Sequence, residues 1–151
     1  MISTAPAIEA YFQAVHQRMA DLPVVNPALR VELLGWQAIA EHDWLGVLIT
    51  PWCMNLFWQS AAHQHALKGD TRLLSLPSGD YECLLHQAEG LGTYATASLC
   101  SPMQDFNAQD EAQQLAEQIL DLLLAELTRT PTAGVSRRGL FQRLLGQEAE
   151  V

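Results

Sequence analysis

Short apolar runs separated by turn-forming residues fill the chain between residues 31 and 100, and this pattern constrains the fold more than any other feature. The turns fall at "EHD" (41–43), "PSGD" (77–80) and "GLG" (90–92). Apolar runs with such close turns are typical of strands joined as antiparallel hairpins. The first run loses its alternation near Gly35, which indicates a β-bulge. The region therefore predicts an antiparallel sheet of five to six strands.

Residues with helical spacing flank these strands on both sides. Thr4 is a candidate cap for a first helix, with apolar residues at Ile8, Tyr11, Phe12, Val15 and Met19. Asn107 is a candidate cap for a second helix, with apolar residues at Ala112, Leu115, Ala116, Ile119, Leu122, Leu123 and Leu127. We predict an α+β fold in which the N-terminal and C-terminal helices pack on the same face of the sheet. Residues 1–130 would form this single domain, and residues 131–151 a short basic and apolar C-terminal tail.

Charge is distributed unevenly along the chain, whose formal net charge is −9. Residues 1–135 carry five basic and fifteen acidic side chains, whereas Arg137, Arg138 and Arg143 lie in the tail. An acidic body repels nucleic acid and anionic lipid and attracts a basic partner. No apolar run approaches the ~18 residues of a membrane span, and the N-terminus does not resemble a secretory signal. We therefore expect a cytoplasmic protein with no nucleic-acid partner and no direct membrane insertion.

Catalytic and cofactor motifs are absent from the sequence. It contains no G-x-S-x-G, no glycine-rich phosphate loop and no H-E-x-x-H. Asp80 and Glu82 share one face of a predicted strand, but two exposed carboxylates near a turn are weak evidence of acid–base chemistry. We therefore expect neither an enzyme nor a bound cofactor.

Three residues raise the alternative of a metal- or redox-handling protein. Cys53 precedes His63 and His65 by a short stretch, and thiolate and imidazole are the ligands that zinc and copper prefer. The competing interpretation is a buried thiol followed by a solvated histidine loop, because free cysteine packs as a small apolar residue. The chain contains no C-x-x-C pair to strengthen the metal hypothesis.

The segment "PWCMNLFW" (51–58) concentrates large apolar side chains in one predicted strand. A strand that is apolar on both faces is either covered by a helix on each face or leaves one face open as an apolar groove. Methionine-rich surfaces of that second kind adapt to varied apolar peptides. If the groove is open, its candidate partner-binding residues are Trp52, Met54, Leu56 and Trp58, with Met103 and Phe106.

The tail contains "SRRGLFQRLL" (136–145), which is similar to the start of the signal peptides that the twin-arginine translocase recognises. If this segment is helical, its apolar stripe is Leu140, Phe141, Leu144 and Leu145. Arg137 and Arg138 would then lie at the positive end of the helix, which disfavours them and indicates another use. The open alternatives are a tethered mimic of a client's signal, a contact with a second copy of the chain, and recruitment of a twin-arginine receptor.

Four strings together resemble the HybE/HupJ family, whose members assist the assembly of membrane-bound NiFe hydrogenases. They are "GVLITPWCMNL", "LPSGDYEC", "ASLCSPMQDF" and "SRRGLFQRLL", and the resemblance spans roughly residues 5–145. Fused members of the family carry a rubredoxin module with paired C-x-x-C motifs. This chain has none, so the resemblance implies no iron site here.

The resemblance implies a cytoplasmic chaperone for a hydrogenase precursor, above all the small subunit with its twin-arginine signal peptide. Contacts with the large subunit, with other maturation proteins or with a second copy through the tail stay open. We expect Asp80, Glu82 and Asp105 to pair with the arginines of the signal, since carboxylates bind guanidinium groups with two parallel hydrogen bonds. The rival interpretations are the metal- or redox-handling protein and an oligomerisation adaptor that acts through its tail.

Overall fold

A computed structural model describes residues 2–125. These residues form two helices and six strands, in the order α1 (Ala5–Met19), β1 (Glu32–Ala40), β2 (Asp43–Ile49), β3 (Met54–Ser60), β4 (Thr71–Leu76), β5 (Gly79–Ala88), β6 (Gly92–Cys100) and α2 (Gln109–Leu124). A short 3₁₀ turn at Ala61–His63 follows β3. The predicted order of helix, strands and helix is confirmed. Neither described helix is long and apolar enough to cross a membrane.

The six strands form one curled antiparallel sheet in the order β1-β2-β3-β6-β5-β4. β1 to β3 form one consecutive meander and β4 to β6 another, and the two meanders join where β3 pairs with β6. The α+β prediction of an antiparallel sheet with a helix at each end of the described chain is confirmed. β1 and β4 are the edge strands of the sheet in the described residues.

The predicted bulge lies in β1. The pairing of β1 with β2 shifts register between Leu34 and Gln37, and Gly35 has a φ of 68°. This left-handed conformation favours glycine because a side chain there meets its own backbone. A Cβ at Gly35 would also lie 2.5 Å from Leu120 Cδ1, so the bulge lets β1 pass close beneath α2.

The two helices cover opposite faces of the sheet, so the prediction of a single helical face is wrong. On one face, Leu115 and Ile119 of α2 belong to the same core cluster as Leu56 of β3. On the other face, Ile8 of α1 belongs to a second cluster with Phe57, the next residue of the same strand. Successive strand residues point to opposite faces, and β2 and β3 are apolar on both. Each apolar face therefore needs its own helix.

Helix α2 begins one residue later than the sequence predicts. Its cap residue is Ala108, which makes no side-chain capping hydrogen bond. The Asn107 backbone N–H instead donates to Glu111 Oε1 at 2.8 Å. The first-turn carboxylate thus caps the helix start in place of Asn107, which is consistent with the positive end of the helix dipole.

A buried asparagine joins the loops at one end of the sheet. The Asn26 side-chain amide donates to the carbonyl oxygens of Met103 and Phe106, both at 2.8 Å, and its backbone N–H donates to Pro51 O at 2.9 Å. Three loops that are distant in sequence are therefore fixed together. We call this region the loop end, comprising residues 20–29, 50–53 and 101–108.

Candidate functional site

The aromatic run 51–58 forms the middle of the core. Met54, Leu56 and Phe57 have no exposed surface, and Trp58 is 6% exposed. Met54, Leu56 and Trp58 face α2, whereas Phe57 faces α1. Of the two interpretations of this run, the structure forms the one in which helices cover both faces. The predicted open groove is not formed, because β3 lies between two strands and two helices.

Four other predicted partner-binding residues lie at the loop end. Trp52 is half-buried beside His16 of α1, with ring centroids 6.1 Å apart. Met103 is fully buried and Phe106 partly buried, and both are held by Asn26. Asp105 is exposed in the same loop. Trp52, Asp105 and Phe106 thus remain accessible, whereas Met103 is a core residue.

Asp80 and Glu82 lie together on the face of β5 that turns away from α2. Tyr81, Cys83 and Leu85 pack in the core beneath α2, so the alternating residues Asp80, Glu82 and Leu84 point to the opposite side. In the pairing with β4, Glu82 lies opposite Leu73 and Asp80 opposite Ser75. Directly opposed residues share a face of the sheet. Both predicted carboxylates and two leucines therefore lie on one surface.

This surface is the part of the sheet that α1 leaves uncovered. Leu73 is 64% exposed and Leu84 is 44% exposed, among the highest values of any large apolar residue described. A shallow depression of about 440 Å³ lies between β4, β5 and β6 and is bordered by Thr71, Glu82, Cys83, Leu84, Thr96, Ala97 and Ser98. We call the surface formed by Thr71, Leu73, Ser75, Asp80, Glu82, Leu84, Thr96 and Ser98 the open face.

The boundary between α1 and the open face is aromatic and uncharged. Tyr94 packs against Phe12 of α1 and stacks on His86, with ring centroids 5.0 Å apart for the latter pair. Burial raises the pKa of Tyr94 to about 12, with a smaller contribution from Tyr11. Burial lowers the pKa of His86, and the charge of Lys68 adds to this effect. His86 is also hydrogen-bonded to Thr96 through its Nε2 at 2.8 Å.

The carboxylates of the open face are available to a partner. The ion pairs found in residues 2–125 join Arg30 to Glu32 and His42 to Glu41, and neither includes Asp80 or Glu82. Two exposed carboxylates therefore lie beside two exposed leucines, and the surface is both acidic and apolar. Sequence analysis identified the carboxylates and missed the leucines. The alternation of Tyr81, Cys83 and Leu85 was the signal that Leu84 points outward.

Comparison with known protein families identifies the chain. The sequence model described as "[NiFe]-hydrogenase assembly, chaperone, HybE" matches residues 3–143. The chain belongs to this family. A relative in Azotobacter chroococcum mcd 1, the hydrogenase expression/formation protein HupT, is 60% identical over 141 residues, which cover 93% of this chain and 95% of that protein. The hydrogenase expression/formation protein HoxT of Azotobacter vinelandii is 56% identical over 149 residues, with the same coverage.

A solved structure shares the fold of this HybE-family chain. The solution structure of HybE from Escherichia coli matches with a TM-score of 0.66 and 24% sequence identity. The match covers 89% of this chain and 87% of that one. At this level of identity the likeness supports the architecture of two helices on a six-stranded sheet.

The alternative metal site is not assembled in the described part of this HybE-family chain. Residues 2–125 contain no group of three or more His, Cys, Asp or Glu side chains placed to hold a metal ion. Cys53 and His63 lie at opposite ends of β3, whose seven residues span about 20 Å. His63 is buried against Trp58, and Cys53 Sγ lies 3.4 Å from Thr50 Oγ1 and from Asn55 Nδ2. Burial raises the pKa of Cys53 and outweighs these two hydrogen bonds.

The self-interaction residues of the tail lie outside the described residues. They are Arg137, Arg138, Leu140, Phe141 and Leu144. The domain boundary that the sequence predicts at residue 130 lies outside them as well.

Proposed function

We propose that this hydrogenase-assembly chaperone binds the twin-arginine signal peptide of a NiFe-hydrogenase small-subunit precursor on the open face. It would hold the precursor until its metal centres are in place. The proposal builds on membership of the HybE family. The observation that carries it is the pairing of Asp80 and Glu82 with the exposed Leu73 and Leu84 on one surface. A twin-arginine signal has the complementary composition, with arginines followed by an apolar stretch.

The carboxylates supply recognition of the basic end of the signal. Asp80 and Glu82 are two residues apart on one strand face, so their Cα atoms lie about 7 Å apart. Arginine binds a carboxylate through two parallel hydrogen bonds, which gives geometry as well as energy. The excess of acidic over basic residues in the body adds a longer-range attraction that speeds encounter and weakens as salt rises.

The leucines supply the apolar part of the contact. Leu73 and Leu84 have much of their surface in water. Fully burying a leucine is worth about 1.5–3 kcal/mol, so covering both contributes substantially to affinity. An apolar segment laid across β4 and β5 would therefore be held next to the arginine contact.

The loop end is the rival location for the same peptide. Leu22 is 49% exposed and Val24 is 40% exposed there, close to Asp105 through the hydrogen bonds of Gln104 to Pro23 O and Val24 O. This surface lacks a pair of carboxylates on one rigid strand. It also offers a place for folded parts of the hydrogenase, including the large subunit.

The tail provides a natural competitor in this proposal. Its "SRR" and following apolar residues would occupy the open face weakly until a client arrives, since a tethered ligand acts at an effective concentration near mM. The full-length variant Arg137→Gln/Arg138→Gln then binds the signal peptide more tightly than the wild type. Equal affinity of the variant and the wild type would show that the tail is not a competitor, without contradicting the proposed binding site.

Calorimetric titration of a synthetic small-subunit signal peptide into the full-length protein tests the proposal. We expect Asp80→Asn/Glu82→Gln to weaken binding at least tenfold, which corresponds to about 1.4 kcal/mol. Glu89→Gln removes an exposed carboxylate of the β5–β6 turn and serves as the control for charge.

Leucine variants test the apolar part of the same contact. Leu73→Asp should abolish binding, whereas Leu67→Asp, at a leucine that is 70% exposed in a loop, should leave it intact. Loss of binding in Leu22→Asp with retention in Leu73→Asp would move the site to the loop end. Absence of binding to the wild-type protein would refute the signal-peptide proposal.

A further inference from the structure

A narrow cavity runs along the free edge of β4, on the side of that strand opposite β5. It has a volume of about 420 Å³. One wall is formed by residues 73–77, five consecutive residues of β4 and its turn. Because consecutive strand residues point to alternate faces, a cavity that touches all of them follows the strand's edge. The rest of the lining comes from the end of the β1–β2 hairpin, β3 and α2: Ile39, Ala40, Asp43, Trp58 and Leu124. We call this cavity the slot.

The edge of β4 offers backbone hydrogen bonds to a ligand. Within the described residues, β4 is the last strand of the sheet and pairs with β5 alone. An edge strand presents a row of unpaired N–H and C=O groups, and extended peptides bind such edges as an added strand. Five residues of β4 and its turn extend about 15 Å, enough for a peptide segment of similar length.

Two of the residues that line the slot each have a buried polar side-chain atom without a hydrogen-bond partner among the described residues. Trp58 Nε1–H and Asp43 Oδ1 are buried, and neither has a hydrogen-bond partner among the described residues. Leaving such groups unpaired is costly, so a ligand that pairs with them gains affinity. The surrounding walls are mostly apolar, through Ile39, Leu74 and Leu124. The slot therefore fits an extended apolar segment that brings one strongly hydrogen-bonding, positively charged group to Asp43.

We propose that the signal segment binds as an added strand along β4, with its two adjacent arginines on opposite sides of that strand. This rests on the proposed function above and specifies the bound form of the peptide. Neighbouring residues of a strand point to opposite faces. One arginine then faces Asp80 and Glu82 on the open face, and the other enters the slot and pairs with Asp43. The apolar residues that follow alternate between Leu73 on one side and Leu74 on the other.

Acidic residues on opposite sides of one strand edge would each receive one of the two adjacent arginines. A helical segment would place adjacent side chains about 100° apart and satisfy its own backbone hydrogen bonds, leaving the edge of β4 unused. We call binding as an added strand the strand mode and binding as a helix the helical mode. Only the strand mode uses backbone hydrogen bonds between the peptide and β4, and this difference is measurable.

Backbone N-methylation of the signal peptide separates the two modes. In an added strand, alternate N–H groups point towards the edge of β4 and the others point away. Two peptides are compared, N-methylated at odd or at even positions of the apolar stretch, against the unmodified peptide and the full-length protein. We expect one peptide to lose binding at least tenfold and the other to keep it. Equal affinity of both peptides, whether retained or lost, overturns the strand mode.

A cycle of substitutions tests whether the two arginines bind different carboxylates. Peptides with the first or the second arginine replaced by glutamine are titrated into wild type, Glu82→Gln and Asp43→Asn. Each protein variant should lose sensitivity to a different arginine, and the Trp58 indole N–H resonance should shift on binding of the unmodified peptide. Coupling of both carboxylates to the same arginine, or no effect of Asp43→Asn in a folded protein, contradicts the proposal.

The outcomes distinguish this inference from the function on which it rests. If the unmodified peptide binds with dependence on Glu82 while the N-methylated peptides bind equally, the strand mode alone is wrong. If the wild-type protein binds no signal peptide, the proposed function is wrong and the strand mode with it.

Discussion

The strands β3 and β5 are both rich in large apolar residues, yet the structure uses them differently. In β3, six of the seven residues are buried, on both faces of the strand, and α1 and α2 lie over them. In β5, Tyr81, Cys83 and Leu85 are buried beneath α2, whereas Asp80, Glu82 and Leu84 are exposed on the open face. Apolar content alone does not mark a binding surface here. Position relative to the two helices decides which leucines are buried in the core and which stay exposed.

The largest effect expected from this contrast is on stability. Leu56→Ala in β3 removes a fully buried side chain, so we expect the free energy of unfolding to fall by about 2–5 kcal/mol. The same substitution at Leu84 in β5, a residue that is 44% exposed, should cost about 1 kcal/mol or less. Chemical denaturation of both variants measures the difference. Similar losses at the two positions would mean that the open face is covered in the folded protein.

A smaller effect is expected where β1 passes under α2. Gly35→Ala forces a side chain into left-handed backbone, which costs about 1–2 kcal/mol, and pushes against Leu120. Gly69, in the loop before β4, also has a positive φ of 93°, but nothing lies within 4 Å of its missing Cβ. Gly69→Ala therefore lowers the free energy of unfolding through backbone strain alone. Gly35→Ala should lower it by about 1–3 kcal/mol more. Equal destabilisation by Gly35→Ala and Gly69→Ala would show that α2 shifts at little energetic cost to accommodate the added Cβ.

The pH dependence of stability is expected to follow a buried histidine on the α2 side. Burial lowers the pKa of His63 below its ordinary 6.5, with a further contribution from Arg72 that outweighs the opposing effect of Asp43. Below pH 6.5 the unfolded chain binds this proton more readily than the folded one, so stability is fully present above that pH and falls as the pH drops. Denaturation between pH 7.5 and about 5 should show a smaller decrease in the free energy of unfolding for His63→Gln than for the wild type. An unchanged slope would assign the decrease to other groups.

The smallest effect expected is on the salt dependence of binding. Exposed charge pairs weaken as ionic strength rises, because the Debye length falls from about 10 Å at 0.1 M to about 3 Å at 1 M. Signal-peptide affinity should therefore decrease with salt in the wild type and less steeply in Asp80→Asn/Glu82→Gln. A variant with the wild-type slope would place the electrostatic contact elsewhere on the acidic body.

Local signals in the sequence predicted the strands, the hairpin turns and the bulge at Gly35, because each depends on residues close together in the chain. The face that each helix covers depends on the pairing of β3 with β6, which joins residues some forty positions apart. Periodicity in "PWCMNLFW" is therefore compatible with a groove or a core, and the second helix decides between them. Asp80 and Glu82 were predicted from their alternation, whereas the slot depends on α2 and the β1–β2 hairpin meeting β4 and has no signature in any single segment.

Site-specific photo-crosslinking in cells tests most directly the claim that the open face meets the hydrogenase precursor. A photoreactive phenylalanine analogue replaces Leu73 in one variant and Leu67 or Leu22 in the controls, all of them exposed leucines. We expect the small-subunit precursor with its signal peptide to be captured from position 73 and not from 67 or 22. Capture from position 22 alone, or no capture from position 73 in a folded variant, would contradict it.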